Sequence, residues 1–199
     1  FEAIFINCGA STSNFTSTAE TNLKNFVEVA GKSLYASDWA AAFVEPLWPS
    51  AIDFYGSNST ATATAESISA AKVGTGSKTV EATVIDSNLI NNVLGKSTIS
   101  IYYDLGGWVV ISGEGTDTTV LLRGSPTISG SSANVLSESV RASGISASGT
   151  ASDEPLAVQF KPAGASKGTV VYTTFHNEAQ ENLVTADMEK MLQYFIITL

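Results

Sequence analysis

The chain of 199 residues has one cysteine, one histidine and little charge. With Cys8 alone, an internal disulfide and a cysteine-rich metal site are both excluded. Lys and Arg number 10 against 19 Asp and Glu, for a formal charge of −9, and the basic residues are scattered singly. Nucleic acid and anionic membrane surfaces both call for clustered positive charge, so neither is the expected partner. No run of about 18 apolar residues is present, so no membrane insertion is expected. A signal peptide is also lacking: Phe1 already lies within a strand-like run, and the chain is expected to begin mid-protein or after processing.

What the chain has is Ser, Thr, Ala and Gly, with charged residues at only 15%. A polar but uncharged surface of this kind points to a secreted or cell-envelope bacterial protein. Its length suits one domain, or one domain with a long insertion, and suffices for a real core.

Phe1–Asn7 is an almost unbroken apolar run and reads as a strand buried on both faces, as in a parallel sheet covered by helices. After a polar loop, Ser17 or Thr18 can cap a helix over Ala19–Ala30, where Leu23, Phe26, Val27 and Ala30 recur at helical spacing and Gly31 closes the end. Ser33–Ala36 reads as the next strand and Ala40–Leu47 as a helix stopped by Pro49. Strand, helix, strand, helix with short links is the pattern of a right-handed parallel unit.

Residues 57–78 and 125–154 lack periodicity and read as surface loops or insertions, the second with room for a hairpin. Between them, Thr79–Ile85 alternates like a half-buried strand, Asp86–Gly95 reads as a short glycine-closed helix, and Ser97–Tyr103, Trp108–Ser112 and Thr118–Arg123 read as strands. Pro155–Phe160 and Thr169–Thr174 look like adjacent strands, and Asp187–Leu199 like a helix packed on the sheet, capped by Thr185.

Four segments carry a family resemblance: Leu23-Lys-Asn-Phe-Val-Glu-Val-Ala-Gly31-Lys-Ser-Leu34; Val84-Ile-Asp86-Ser-Asn-Leu-Ile90 with Leu94-Gly95; Thr119-Val-Leu-Leu122 with Pro155-Leu-Ala-Val158; and Gly168-Thr-Val-Val-Tyr-Thr-Thr-Phe-His176. In this order they resemble the class I glutamine-amidotransferase-like superfamily, in its trehalose-utilisation (ThuA-like) branch. The likeness spans most of the chain outside residues 125–153. It implies an α/β, flavodoxin-like three-layer sandwich with a mainly parallel central sheet and a β-rich insertion, as one domain over residues 1–199. Two departures stand out: the family's first strand-helix unit has no counterpart before Phe1, and Asn88-Leu-Ile90 replaces its His-Pro-Ile segment.

In such enzymes a cysteine on a sharp strand-to-helix turn is activated by a histidine, itself oriented by a glutamate two residues on. The resemblance puts the nucleophile's place at Ser37, and His176-Asn177-Glu178 keeps the His-x-Glu spacing. An active site would then use Ser37 as nucleophile, His176 as base and Glu178 as orienter, with Cys8 as a second nucleophile from the end of the first strand. The glycine-rich donor loop and the elbow glycines are absent, however, and Ser is weak without a formed oxyanion hole. In the competing picture the site has degenerated, with His176 paired structurally to Asp38.

Asp38, Trp39 and Asn177 are candidate ligand-binding residues, Trp39 as a flat face for a carbohydrate-like ligand. Asp38, His176 and Glu178 could converge, but a single histidine without a helical ligand motif leaves no metal or other cofactor expected. Asp104 reads as a solvated turn carboxylate. The expectation is a non-catalytic module serving binding or assembly, its partners other domains or subunits of a larger surface assembly or a carbohydrate-like ligand. The alternative is a hydrolase of an amide, ester or glycan-related substrate using Ser37 or Cys8 with His176 and Glu178.

Overall fold

Two apolar strand runs and the helical stripe between them make one parallel unit in the N-terminal third. β1 (Ala3–Asn7) leads through α1 (Ser17–Glu28) to β2 (Ser33–Ser37), which pairs parallel to β1 with Ala3 opposite Ser33 and Asn7 opposite Ser37. The cap of α1 is Thr16, whose side-chain oxygen accepts the Ala19 N–H at 3.3 Å, one residue before the expected cap. Beyond the helix, Gly31 takes φ +69°, a conformation that favours glycine. The computed structural model describes residues 1–8, 15–55, 71, 73–75, 78–104, 107–128, 149–150, 152–176 and 186–199.

Seven strands form the main sheet in the order β1-β2-β13-β12-β9-β5-β6, where β5 is Lys78–Val84, β6 Thr98–Tyr103, β9 Thr118–Gly124, β12 Glu154–Phe160 and β13 Val170–Thr173. β13 joins β2 in parallel, Val170 opposite Leu34 and Thr173 opposite Ser37. Every pairing from β13 outward to β6 is antiparallel. The architecture is the expected α/β class, but its sheet is mixed: parallel pairing is confined to β1, β2 and β13. The cause is connectivity. A short turn joins β12 to β13, and the π-helical α3 (Leu89–Leu94) joins β5 to β6, where a parallel step needs a full crossover. Smaller sheets are made by β3 (Ile52–Phe54) with β8 (Ile111–Glu114), and by β4 (Gly74–Thr75), β7 (Gly107–Trp108), β10 (Thr127–Ile128) and β11 (Gly149–Thr150). β10 and β11 pair antiparallel where a hairpin was expected; residues 129–148 between them lie outside the described residues.

The period-two alternation of β2 and β13 separates two cores. Leu34, Ala36, Val170 and Tyr172 face α1, Val120, Val158 and the short helix α2 (Ala41–Val44). Tyr35 and Val171 face the opposite layer, built on α3 and α4 (Ala186–Thr198) through Leu89, Leu94, Met191 and Phe195. Thr185, the expected cap of α4, lies outside the described residues. These are the three layers of the expected sandwich. β2 and β13 are buried at every position, whereas β1, expected to be buried on both faces, is the sheet edge, with Phe5 47% exposed. The helix expected over Ala40–Leu47 is shorter, a 3₁₀ turn at Asp38–Ala40 followed by α2. Among the described residues no helix is long and apolar enough to cross a membrane.

Candidate functional site

Three adjacent parallel strands end side by side, and each is followed by a polar side chain. Cys8 follows β1, Asp38 follows β2, and His176 lies three residues past β13. The carboxyl ends of parallel strands are where α/β sheets open their ligand crevice. The Cys8 Sγ, an Asp38 carboxylate oxygen and a His176 ring nitrogen all lie within 4.8 Å of one another.

Asp38 is the centre of this cluster. Its side chain is 1% exposed. Oδ1 accepts the Val109 N–H at 2.8 Å, while Oδ2 lies 3.1 Å from His176 Nε2 and accepts the Cys8 thiol at 3.8 Å. Its backbone carbonyl accepts the Tyr172 hydroxyl at 2.7 Å. On the far side of the imidazole, Nδ1 lies 3.5 Å from Asp104 Oδ1. Asp104 is exposed, its side chain 40% accessible, as expected of a solvated carboxylate, and it also borders the site.

Each titratable group responds to this packing. Burial raises the Asp38 carboxyl above the ordinary range, outweighing the opposite pull of His176 and the Val109 N–H. His176 is raised, first by its contact with Asp38 and against the effect of burial, with Asp104 adding to the rise. Burial, and then the Asp38 charge, raise the Cys8 thiol. A thiol held protonated in this way is a poor nucleophile.

Backbone geometry singles out the same place. Among the described residues only Cys8 (φ 44°), Asp38 (φ 45°) and Asp153 (φ 60°) are non-glycine residues with positive φ. Asp tolerates the left-handed region through its short polar side chain, whereas for Cys it is uncommon and strained. At Cys8 the turn is fixed by the residue's N–H donating to the Ser37 carbonyl at 3.1 Å.

The sequence put the nucleophile's place at Ser37. The structure keeps Ser37 inside β2, with extended backbone (φ −136°, ψ 144°), fully buried, its Oγ without a hydrogen bond among the described residues. The sharp strand-to-helix turn, with its left-handed residue, falls one position later on Asp38. The strand runs one residue longer than its apolar pattern, and the usable signal was that Asp accepts this backbone more readily than Ser. His176 does meet Asp38, as the degenerate picture expected. Glu178 and Asn177 lie outside the described residues. Trp39 is half-buried and donates its indole N–H to the Gly107 carbonyl at 3.2 Å, so its polar edge is engaged within the chain. Converging donor atoms come from Cys8, Asp38 and His176, whereas the sequence had grouped Asp38 and His176 with Glu178.

Fold and site together define an α/β protein with a polar side-chain cluster at three parallel strand ends, centred on a buried carboxylate. No protein-family model matches the chain, and no curated protein matches it. Among solved structures it is similar to a protein from Thermoplasma acidophilum described as a GMP-synthase-subunit-A type protein, with 11% identity and a TM-score of 0.45 over 100% of this chain and 76% of that one. It is also similar to the protein SMU.1228c, with 12% identity and a TM-score of 0.43 over 98% of this chain and 63% of that one. Both likenesses are remote.

Proposed function

We propose that the chain is an amidotransferase-like module of the trehalose-utilisation type with a degenerate catalytic site, serving binding or assembly within a secreted or cell-surface bacterial protein. The observation that carries this reading is Asp38 on the strand-to-helix turn. The position suited to a nucleophile holds a carboxylate already engaged by Val109 N–H, His176 and Cys8. The hydroxyl next to it, on Ser37, is turned into the packed interior and makes no bond to His176. Low charge and an excess of acidic residues support an extracellular setting, with other domains, subunits or a carbohydrate-like ligand as partners.

The hydrolase reading retains one favourable observation, since the Cys8 thiol stands within 4.8 Å of the imidazole. Labelling separates the two. The folded protein and His176→Ala are treated with a fluorophosphonate probe and an iodoacetamide probe, and the modified residue is located by mass spectrometry. Expected is no modification of Ser37, and modification of Cys8 that is the same in both proteins. Modification of Ser37 or Cys8 that the folded His176→Ala variant loses would overturn the proposal in favour of the hydrolase.

A further inference from the structure

We infer that Cys8, Asp38 and His176 form a site for a divalent cation of the zinc class, with Asp104 and Val109 as the groups that orient its ligands. This goes beyond the binding-module reading and does not depend on it, since a cation can be held by this cluster whether or not the site does chemistry.

The first ground is the donor set. A thiol, an imidazole and a carboxylate are the three side chains that bind zinc, and a soft sulfur with a borderline nitrogen excludes the all-oxygen preferences of calcium and magnesium. The second is spacing. Metal–ligand lengths of about 2.0 to 2.3 Å at tetrahedral angles put ligand atoms about 3.3 to 3.7 Å apart. Here Nε2 to Oδ2 is 3.1 Å, Sγ to Oδ2 is 3.8 Å, and all three atoms fall within 4.8 Å. Two of the three edges, both through Asp38 Oδ2, thus stand a few tenths of an ångström from tetrahedral spacing. The third, from Sγ to the imidazole, lies within 4.8 Å and closes by a turn of the partly exposed Cys8 or His176 side chain. The remaining vertex is left for water or an oxygen ligand from a partner.

The third ground is the arrangement behind the donors. A histidine that ligates a metal through one nitrogen commonly gives its other N–H to a carboxylate, which fixes the tautomer and the ring. Asp104 Oδ1 lies 3.5 Å from Nδ1 and occupies that place. Asp38 is held likewise: Oδ1 takes the Val109 N–H, which leaves Oδ2 as the oxygen that faces Cys8 and His176.

The fourth is the route by which the three meet. Neighbouring strands lie about 4.8 Å apart, so side chains from β1 and β13, on either side of β2, meet only if both lean over the middle strand. The left-handed turn at Cys8 takes the chain out of the line of β1 and brings the thiol to Asp38. Strained backbone of this kind gathers at ligand sites. Cys8 and His176 are both partly exposed, so the cluster is reachable from solvent. Binding would displace the thiol proton to solvent.

Composition makes the test unusually direct, because the chain has one cysteine and one histidine. The untagged protein, dialysed against chelator, is titrated with Co²⁺ and followed by absorption. Expected are visible d–d bands of tetrahedral intensity and a near-ultraviolet thiolate-to-cobalt charge-transfer band, both bleached by one equivalent of Zn²⁺. Since only Cys8 can supply the thiolate, the wild-type spectrum alone decides the point. Cys8→Ser should abolish the charge-transfer band, and Asp104→Asn should weaken cobalt binding by about 10-fold or more. Matching circular dichroism without metal shows that each variant folds. A folded wild-type protein that gives no charge-transfer band overturns the inference, as does a band that survives in Cys8→Ser. A cobalt spectrum alongside His176-dependent probe labelling would overturn the binding-module reading and leave the metal site standing.

Discussion

Gly168 sits two residues before β13, and replacing it with alanine tests the packing that aligns the strand ends of the site. A Cβ built there would lie 1.8 Å from the Lys32 carbonyl oxygen, 2.7 Å from the Lys32 carbonyl carbon and 2.9 Å from the Val27 carbonyl oxygen. All three atoms are backbone, so no side chain can rotate away. None is loose. The Lys32 N–H donates to Phe26 O at 3.0 Å, Ser33 N–H to Glu2 O at 3.0 Å, and Gly168 N–H itself to Val27 O at 3.2 Å. Relief would require a shift of more than an ångström between the end of α1 and the start of β13, across the Leu34 N–H to Thr169 O bond of 2.9 Å. Overpacking costs typically about 1 to 3 kcal/mol, and a clash with pinned backbone belongs at or above the top of that range, about 3 kcal/mol. For a chain of this size that corresponds to a fall in Tm of roughly 6 to 12 °C. Gly31→Ala is the control: nothing lies within 4 Å of its Cβ, and only its φ of +69° resists, at about 1 to 2 kcal/mol. Urea unfolding followed by tryptophan fluorescence gives both values from the midpoints at a shared slope. If Gly168→Ala costs no more than Gly31→Ala, the close approach of this segment to the Lys32 backbone is refuted.

Phe195 is fully buried in α4, its ring 6.5 Å from that of Tyr35, so Phe195→Ala should cost about 3 to 5 kcal/mol in the same urea experiment. Thr16→Ala removes only the exposed cap of α1 and should cost about 1 kcal/mol; a larger loss would mean Thr16 does more than cap. The Tyr194 hydroxyl is raised to about 12, by partial burial first and then by Asp86, to which it donates at 3.1 Å. Because the folded value exceeds the unfolded one, this group's stabilisation is complete below about pH 10 and is lost as pH rises through 12. Ultraviolet titration of the phenols should show one fewer group ionising near pH 12 in Tyr194→Phe, and Asp86→Asn should bring that step down.

Local pattern made much of the fold legible. The alternation in residues 79–85 predicts β5, whose burial does alternate from Thr79 to Val84, and Gly95 ends α3 at φ +70° as a closing glycine should. The direction of pairing was legible only where the link decides it: the helix between β1 and β2 predicts a parallel step and the short turn between β12 and β13 an antiparallel one. Nothing local says that β13 inserts beside β2 in parallel or that β9 meets both β12 and β5 antiparallel. At the site, His176 was legible as the residue after a buried strand, and its pairing with Asp38 followed from the same placement. The turn after β2 falls at Asp38, one residue past the position that the resemblance gave the nucleophile, because Ser37 carries no mark, in composition or spacing, that it is still extended. Asp104 was hidden for a different reason: its role depends on a contact across 72 positions, and an isolated acidic residue beside a Gly-Gly pair looks like any turn.

The cluster at the strand ends is hard to account for as packing alone. A left-handed cysteine is unfavourable, a strained backbone residue costing on the order of 1 to 3 kcal/mol, and a buried carboxylate is tolerated only where it is partnered, as Asp38 is by the Val109 N–H and His176. The core does not need either one, since the apolar clusters on both faces of β2 are complete without Cys8 and Asp38. An ordinary strand end would turn outward and hydrate its polar side chains. Here the chain's one thiol and one imidazole, from residues 8 and 176, are instead drawn over the same carboxylate at residue 38. Strained backbone and a buried carboxylate at one point, with Val109 and Asp104 set behind the carboxylate and the imidazole, are what the cation site inferred above would require, and the cobalt titration decides whether they serve it.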